Sequence, residues 1–206
     1  MVLYQLHYFE NLGGRGELIR LLFIFAGIAF EDVPIKHENW PELKSTYPNG
    51  QLPVLFEDGK VLAQSLAIAR HVARKADLVG KNEWEMAQAD AFVDITYDIM
   101  ADLKTRGINK KIVEGNGSEV AEDLKGALKP CLERIEKHLK TTNGVNLVGN
   151  HLTWADFAIA DLFRRYSFTT EQIFDGFPTV KKFVDYVHNL PKVKEHVAKR
   201  TLKYFR

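Results

Sequence analysis

The chain has 206 residues, 46% of them hydrophobic, with 28 Lys and Arg against 27 Asp and Glu. That length holds one large domain or two small ones, and the apolar content suffices for a real core. The near-neutral charge leaves no basic surplus of the kind that binds nucleic acid or an anionic membrane. Cys131 is the only cysteine, so no internal disulfide can form, which fits a reducing compartment. Met1-Val2-Leu3-Tyr4-Gln5 lacks the charged and apolar regions of a signal peptide, and no run approaches the ~18 apolar residues of a membrane span. The expectation is a soluble cytoplasmic protein that engages neither nucleic acid nor membrane.

In chain order, Leu3 to Phe9 alternates as a strand should. Glu17 to Ala26 carries Leu18, Ile19, Leu22, Phe23 and Ala26 on a helical stripe, and Phe30 to Ile35 is a second short strand. Pro53 to Phe56 and Lys60 to Ala63 flank Asp58-Gly59, a hairpin signal because glycine accepts positive φ without steric cost. A helix starting at Ser65 would bury Ile68, Ala69, Val72 and Ala73. Residues 1–76 therefore read as an α/β unit with a mixed sheet. Lys75 to Asn82 is the linker, short and not especially flexible. Beyond it the strand signals stop, and residues 83–206 read as all-helical. The patterned segments are Glu83 to Lys104, Glu119 to Lys140, Trp154 to Phe168, Thr179 to Leu190 and Lys192 to Lys203. Thr153 and Asp156 form a capping box at the start of the third of these, with Leu152 and Phe157 placed as a hydrophobic staple. Asp156 is thus read as a folding device, not as a catalytic acid.

The usual catalytic constellations fail. The seven His are scattered without metal-ligand spacing, so no metal is expected. Leu12-Gly13-Gly14-Arg15-Gly16 lacks the lysine and spacing of a phosphate loop, and its glycines read as a tight strand-to-helix turn. No Gly-x-Ser-x-Gly elbow is present. Cys131 reads as a small core residue of a helix. Four features remain: Tyr8 at the end of the first strand, Leu52-Pro53 opening the third, Gln64-Ser65 at a strand-to-helix handover, and Trp40 with Lys44 on a short helical segment. Each alone has an ordinary explanation: packing, a turn, an N-cap, an exposed hydrophobe.

Their joint order resembles the cytosolic glutathione transferases. The resemblance runs through Tyr8-Phe9, Arg15-Gly16-Glu17 and Arg20, Trp40-Pro41-Glu42-Leu43-Lys44, Gly50-Gln51-Leu52-Pro53-Val54-Leu55, Gln64-Ser65-Leu66-Ala67-Ile68-Ala69-Arg70, and Leu147-Val148-Gly149-Asn150 leading into Leu152-Thr153-Trp154-Ala155-Asp156. It covers essentially the whole chain and is similar most of all to the sigma class, which includes invertebrate detoxifying enzymes and prostaglandin D synthases. The resemblance implies a thioredoxin-like N-terminal domain followed by an all-helical C-terminal domain, with glutathione as co-substrate and a homodimer as the active species. It implies a cis Leu52–Pro53 bond that aims the Leu52 backbone at the cysteinyl part of glutathione, beside Gln51. Ser65 and Gln64 would take the γ-glutamyl carboxylate at a helix N-terminus. Trp40 and Lys44 would reach the glycine carboxylate, and Asp98 of the partner chain the γ-glutamyl ammonium. Tyr8 would hold the thiolate, and Arg15 would be the nearby cation. The turn Glu10-Asn11-Leu12-Gly13-Gly14 is one residue longer than the usual sigma pattern and lacks its Arg-Gly pair, which leaves the position of Arg15 open. Asn49 stands before Gly50-Gln51 where some classes place an aromatic dimer key, and Tyr47 is displaced from that point, so a more polar dimer contact is expected.

An electrophile pocket between the domains would draw on Leu12, Gly14, Met100, Leu103, Tyr204 and Phe205. Ordinary core or tail packing explains each of these equally well. The leading expectation is conjugation of glutathione to small hydrophobic electrophiles, as in detoxification. Glutathione-dependent prostaglandin D isomerisation is a second, and a ligand-binding or crystallin-like relative without activity a third. Retention of Tyr8, Lys44, Gln64 and Ser65 argues against the last.

Overall fold

The structure is a computed structural model that describes residues 3–114, 117–142 and 144–199, with backbone alone at 117–119. Strands β1 (Tyr4–Phe9), β2 (Glu31–Ile35), β3 (Val54–Glu57) and β4 (Lys60–Ala63) form one sheet in the order β2-β1-β3-β4. β1 runs parallel to β2 and antiparallel to β3. A parallel pair needs a crossover, and α1 (Glu17–Ala26) supplies it. β1 alternates, so Tyr4, Leu6 and Tyr8 are buried on one face. Tyr4 and Leu6 join a core with Ile19, Leu22 and Phe23 of α1 and with α3 (Ser65–Lys75). All four apolar positions expected of α3 are buried. In α1, Leu21 is buried while Leu18 and Ala26 are only half-buried. The single-stripe reading breaks there because α1 packs at once against α3 and against two later helices, Trp154–Ser167 and Pro191–Lys199. The hairpin expected at Asp58-Gly59 is present, with both residues at positive φ.

The remainder is helical: α4 (Glu83–Thr105), α5 (Ile108–Val113), α6 (Gly117–Thr141), α7 (Trp154–Ser167), α8 (Pro178–His188) and α9 (Pro191–Lys199). A four-residue helix, α2 (Trp40–Leu43), lies between β2 and β3. This is a thioredoxin-like arrangement followed by an all-helical part, as expected. α5 was not expected; Gly107 separates it from α4, and its buried residue Ile108 is too short a signal to show a period. Pro178 and Pro191 open α8 and α9 one residue earlier than the pattern indicates, because the first helical position needs no amide hydrogen. Residues 200–203 of the expected last helix lie outside the described residues. Among the described residues no helix is long and apolar enough to cross a membrane. Cys131 is buried, and burial pushes its thiol up to about 11, consistent with a core residue.

The segment joining the two parts is tied down. Leu78 is buried and its carbonyl accepts from the Trp154 amide at 2.8 Å. α7 is buried along its length except at Arg164. Its capping box is present: the Thr153 amide donates to Asp156 Oδ2 at 2.7 Å, and Oδ1 accepts from the Leu147 amide at 2.8 Å. Asp156 therefore closes the preceding loop as well as the helix start.

Replacing Asp156 by Ala leaves the Leu147 and Thr153 amides buried without an acceptor, and we expect a stability loss of about 2–5 kcal/mol in urea unfolding. A loss within 0.5 kcal/mol would contradict this (roughly the scatter of a neutral surface change). Burial pushes the Asp156 carboxyl up to about 6 from 3.8, against the opposing bonds from Thr153 and Leu147. The native state therefore holds this proton more tightly than the unfolded state. Its contribution is fully present below the unfolded value and is lost as pH rises through the window from 3.8 to about 6. Asp156→Asn should remove that part of the pH dependence; identical pH profiles of stability in both proteins would refute it.

Candidate active site

The strand register brings the expected site residues to one end of the sheet. His7 is opposite Val54, and Val54 is opposite Ala63. One step further on each strand stand Tyr8, Pro53 and Gln64. The Leu52–Pro53 bond is cis, as expected. Gln64 has φ 75 and ψ 113, unusual for a residue with a side chain, at a cost of about 1–3 kcal/mol. This conformation starts α3 abruptly. The first helical bond is from the Ile68 amide to the Gln64 carbonyl, so the amides of Ser65, Leu66 and Ala67 have no partner within the helix. Such a terminus attracts a carboxylate.

Tyr8 is buried, and its Oη accepts from the Arg15 amide at 2.9 Å. A Cβ on Gly14 would lie 2.3 Å from that oxygen, and one on Gly16 would lie 2.7 Å from Tyr8 Cδ1. The glycines thus do more than turn the chain: they let backbone lie directly on the phenol. Burial raises the phenol pKa, opposed by the Arg15 amide and then by the charges of Arg165, Arg20 and Arg15. Tyr8 stays protonated, with one bond already accepted at its oxygen and its O–H left to donate.

Beside it opens a small cleft whose walls include Gly14, Arg15, Ser65, Tyr97, Met100 and Arg165. Ser65 Oγ is hydrogen-bonded to Tyr97 Oη of α4. The exposed Arg15 side chain lies over the Tyr97 ring, 5.1 Å from its centroid. Arg165 of α7 is buried; its Nη2 donates to the Gly14 carbonyl at 2.7 Å and to Asp161 Oδ2 at 2.9 Å. Sequence reading missed Tyr97, Asp161 and Arg165. The one available signal was an acid–base pair spaced i, i+4 within a helix otherwise apolar from Phe157 to Phe163.

The other expected residues fall as follows. Trp40 packs edge-on to Phe9, with centroids 5.3 Å apart. Lys44 is exposed with its stem against Gly50, and Gln51 is exposed beside it. Tyr47 is bonded by His7 Nδ1 at 2.7 Å, so its hydroxyl is folded onto its own chain. Asp98 is exposed on α4. Of the pocket set, Gly14 and Met100 line the cleft. Leu12 is half-buried outside that lining, its carbonyl accepting from Arg20 at 3.1 Å. Leu103 is wholly buried in the core, which corresponds to the packing alternative. Tyr204 and Phe205 lie outside the described residues. Among the described residues no three His, Cys, Asp or Glu stand together as metal ligands would.

The chain matches the family model for the glutathione S-transferase N-terminal domain over residues 4–74 and that for the C-terminal domain over 106–200. It is 38% identical over 199 residues to glutathione S-transferase 1 of Ascaris suum, covering 96% of each chain. It is 34% identical over 197 residues to the haematopoietic prostaglandin D synthase of Gallus gallus, again covering 96% of each. Among solved structures it resembles the glutathione S-transferase Na-GST-3 of Necator americanus, described as monomeric, with a TM-score of 0.87, 36% identity and coverage of 96% and 97%.

The packing of glycine against phenol has a direct consequence. Gly14→Ala should push the Tyr8 hydroxyl away from the Arg15 amide and cost about 1–3 kcal/mol, since φ is +44 there and the added carbon meets a packed ring. A crystal structure of the variant with the Tyr8–Arg15 bond intact, together with unchanged thermal stability, would contradict it.

Proposed function

We propose that this chain, which belongs to the glutathione S-transferase family, conjugates glutathione to small hydrophobic electrophiles, with Tyr8 stabilising the thiolate. The observation that carries this reading is the Tyr8 hydroxyl: buried, protonated, accepting one bond from the Arg15 amide, and set beside a cleft. An unperturbed cysteine thiol has a pKa of about 8.5 and is only a few per cent ionised at neutral pH. A phenol that donates to the sulfur anion has no comparable bond to offer the neutral thiol, so it favours ionisation. A shift of two units requires about 2.7 kcal/mol, within reach of a charge-assisted bond plus a nearby cation.

In this reading the free amides at the start of α3, with Gln64 and the Ser65 hydroxyl, take the γ-glutamyl carboxylate. The Leu52 backbone pairs with the cysteinyl part, beside Gln51 and Pro53, and Trp40 and Lys44 take the glycine end. The electrophile sits in the cleft walled by Gly14 and Met100. The assembly is a homodimer of sigma type in the cytoplasm, clearing reactive compounds, and Asp98 completes the partner's site. The exposure of Asp98 on α4 leaves it available for that role. Isomerisation of a prostaglandin endoperoxide is a second reading, favoured by the similarity to the Gallus gallus enzyme. It uses the same thiolate and is tested by offering that substrate with glutathione.

Tyr8→Phe keeps the ring and removes the hydroxyl. The pKa of bound glutathione, followed by the ultraviolet absorption of its thiolate, should rise towards the free value. The rate at neutral pH should fall about tenfold for each 1.4 kcal/mol lost, and the deficit should shrink at high pH where solvent ionises the thiol unaided. An unchanged titration midpoint would remove Tyr8 from the mechanism.

If Asp98 acts across a dimer, mixing Asp98→Ala chains with Tyr8→Phe chains should restore activity, because each heterodimer holds one intact site. Full wild-type activity in a protein that sediments as a monomer would sink this assignment.

A further inference from the structure

The peptide unit between Gly14 and Arg15 is held at both ends. Its N–H donates to Tyr8 Oη at 2.9 Å, and its C=O accepts from Arg165 Nη2 at 2.7 Å. Arg165 is anchored in turn by Asp161 Oδ2, 2.9 Å from the same nitrogen and one helical turn earlier on α7. Asp161 and Arg165 are both buried. A buried ion pair pays for its desolvation and is often no more stabilising than an apolar pair of the same size. Stability alone therefore gives a poor account of why one lies against the glycine turn.

Hydrogen bonds in series polarise one another, most strongly where water is excluded. A guanidinium on the Gly14 carbonyl draws electron density through the amide and strengthens the Arg15 N–H as a donor. A phenol oxygen that accepts a stronger bond becomes a stronger O–H donor itself. We propose that Arg165, held by Asp161, is a positioning residue that fixes and polarises the Gly14–Arg15 peptide, and through it the Tyr8 hydroxyl, so that α7 sets the strength of the bond Tyr8 gives to the thiolate. The inference rests on the Tyr8 reading above. The Arg15 guanidinium does not replace Arg165 in this arrangement: it is exposed and lies over the Tyr97 ring. Arg165 also precedes Arg20 and Arg15 among the charges that oppose the effect of burial on Tyr8.

The test compares Arg165→Met, the double variant Asp161→Leu/Arg165→Met, Tyr8→Phe, and Tyr8→Phe/Arg165→Met. The double variant removes both charges together and so leaves no unpaired carboxylate buried, which keeps a folded protein available if Arg165→Met alone does not fold. The readouts are the titration midpoint of bound glutathione and the separate values of kcat and KM. Both Arg165 variants should raise the midpoint by about one unit and lower kcat below that midpoint about tenfold. KM for glutathione should stay within about twofold, because the carboxylate contacts are untouched. In the Tyr8→Phe background, Arg165→Met should add no further shift. An unmoved midpoint in the folded double variant would overturn the relay, and so would a full additional shift in the Tyr8→Phe background, which would place Arg165 in direct action on the sulfur. A midpoint that moves in Tyr8→Phe but not in the Arg165 variants overturns the relay and leaves the Tyr8 reading standing. A midpoint unmoved by Tyr8→Phe overturns both.

Discussion

A phenol serves as a hydrogen-bond donor to an anion only while it keeps its proton and holds a fixed position. In this protein both conditions come from burying Tyr8 under a turn of glycines. The alternation of β1 puts Tyr8 on the same face as Tyr4 and Leu6. At the end of the strand that face would be covered by side chains, and here backbone covers it instead. Gly14 and Gly16 approach closer than any Cβ would allow, and the Arg15 amide reaches the phenol oxygen as a result. The geometry of the turn, the burial of the ring and the protonation of the hydroxyl are thus one constraint seen three ways.

That constraint reaches across the molecule. The turn is held on its far side by Arg165, which comes from the helical part and sits about 150 residues further along the chain. α7 can hold such a position because little about it is free to move. It is buried on nearly every side, its start is closed by Asp156, and its first amide is tied to Leu78 in the connecting segment. Buried charge is ordinarily costly. On α7 it is concentrated where it closes a loop, at Asp156, or where it meets the glycine turn, at Asp161 and Arg165.

The strand and helix pattern of the chain was largely legible because it is carried by local periods. The stripe of α3, the Asp58-Gly59 hairpin and the Thr153–Asp156 capping box all depend on residues within a few positions of one another. Where packing is many-sided the same reasoning slips: α1 buries Leu21 in addition to its stripe, because three helices surround it. α5 was missed because a helix of six residues is shorter than two periods of its own signal.

The sequence by itself determined the fold class and the family, and it singled out Tyr8, Leu52-Pro53 and Gln64-Ser65 as the candidate site, because they stand at element ends that are readable from turn and cap chemistry. Only the tertiary structure decided which cation stands behind the glycine turn. Read along the chain, Arg15 is the neighbour of Tyr8 and Arg165 is remote; in space the Arg15 side chain turns out over Tyr97 while Arg165 turns in. It likewise decided that Leu103 belongs to the core and Met100 to the cleft, though both lie on α4. The physical reason is the same in each case. A helical period says which residues share a face, but which face meets a core, a cleft or solvent depends on elements far away in the chain.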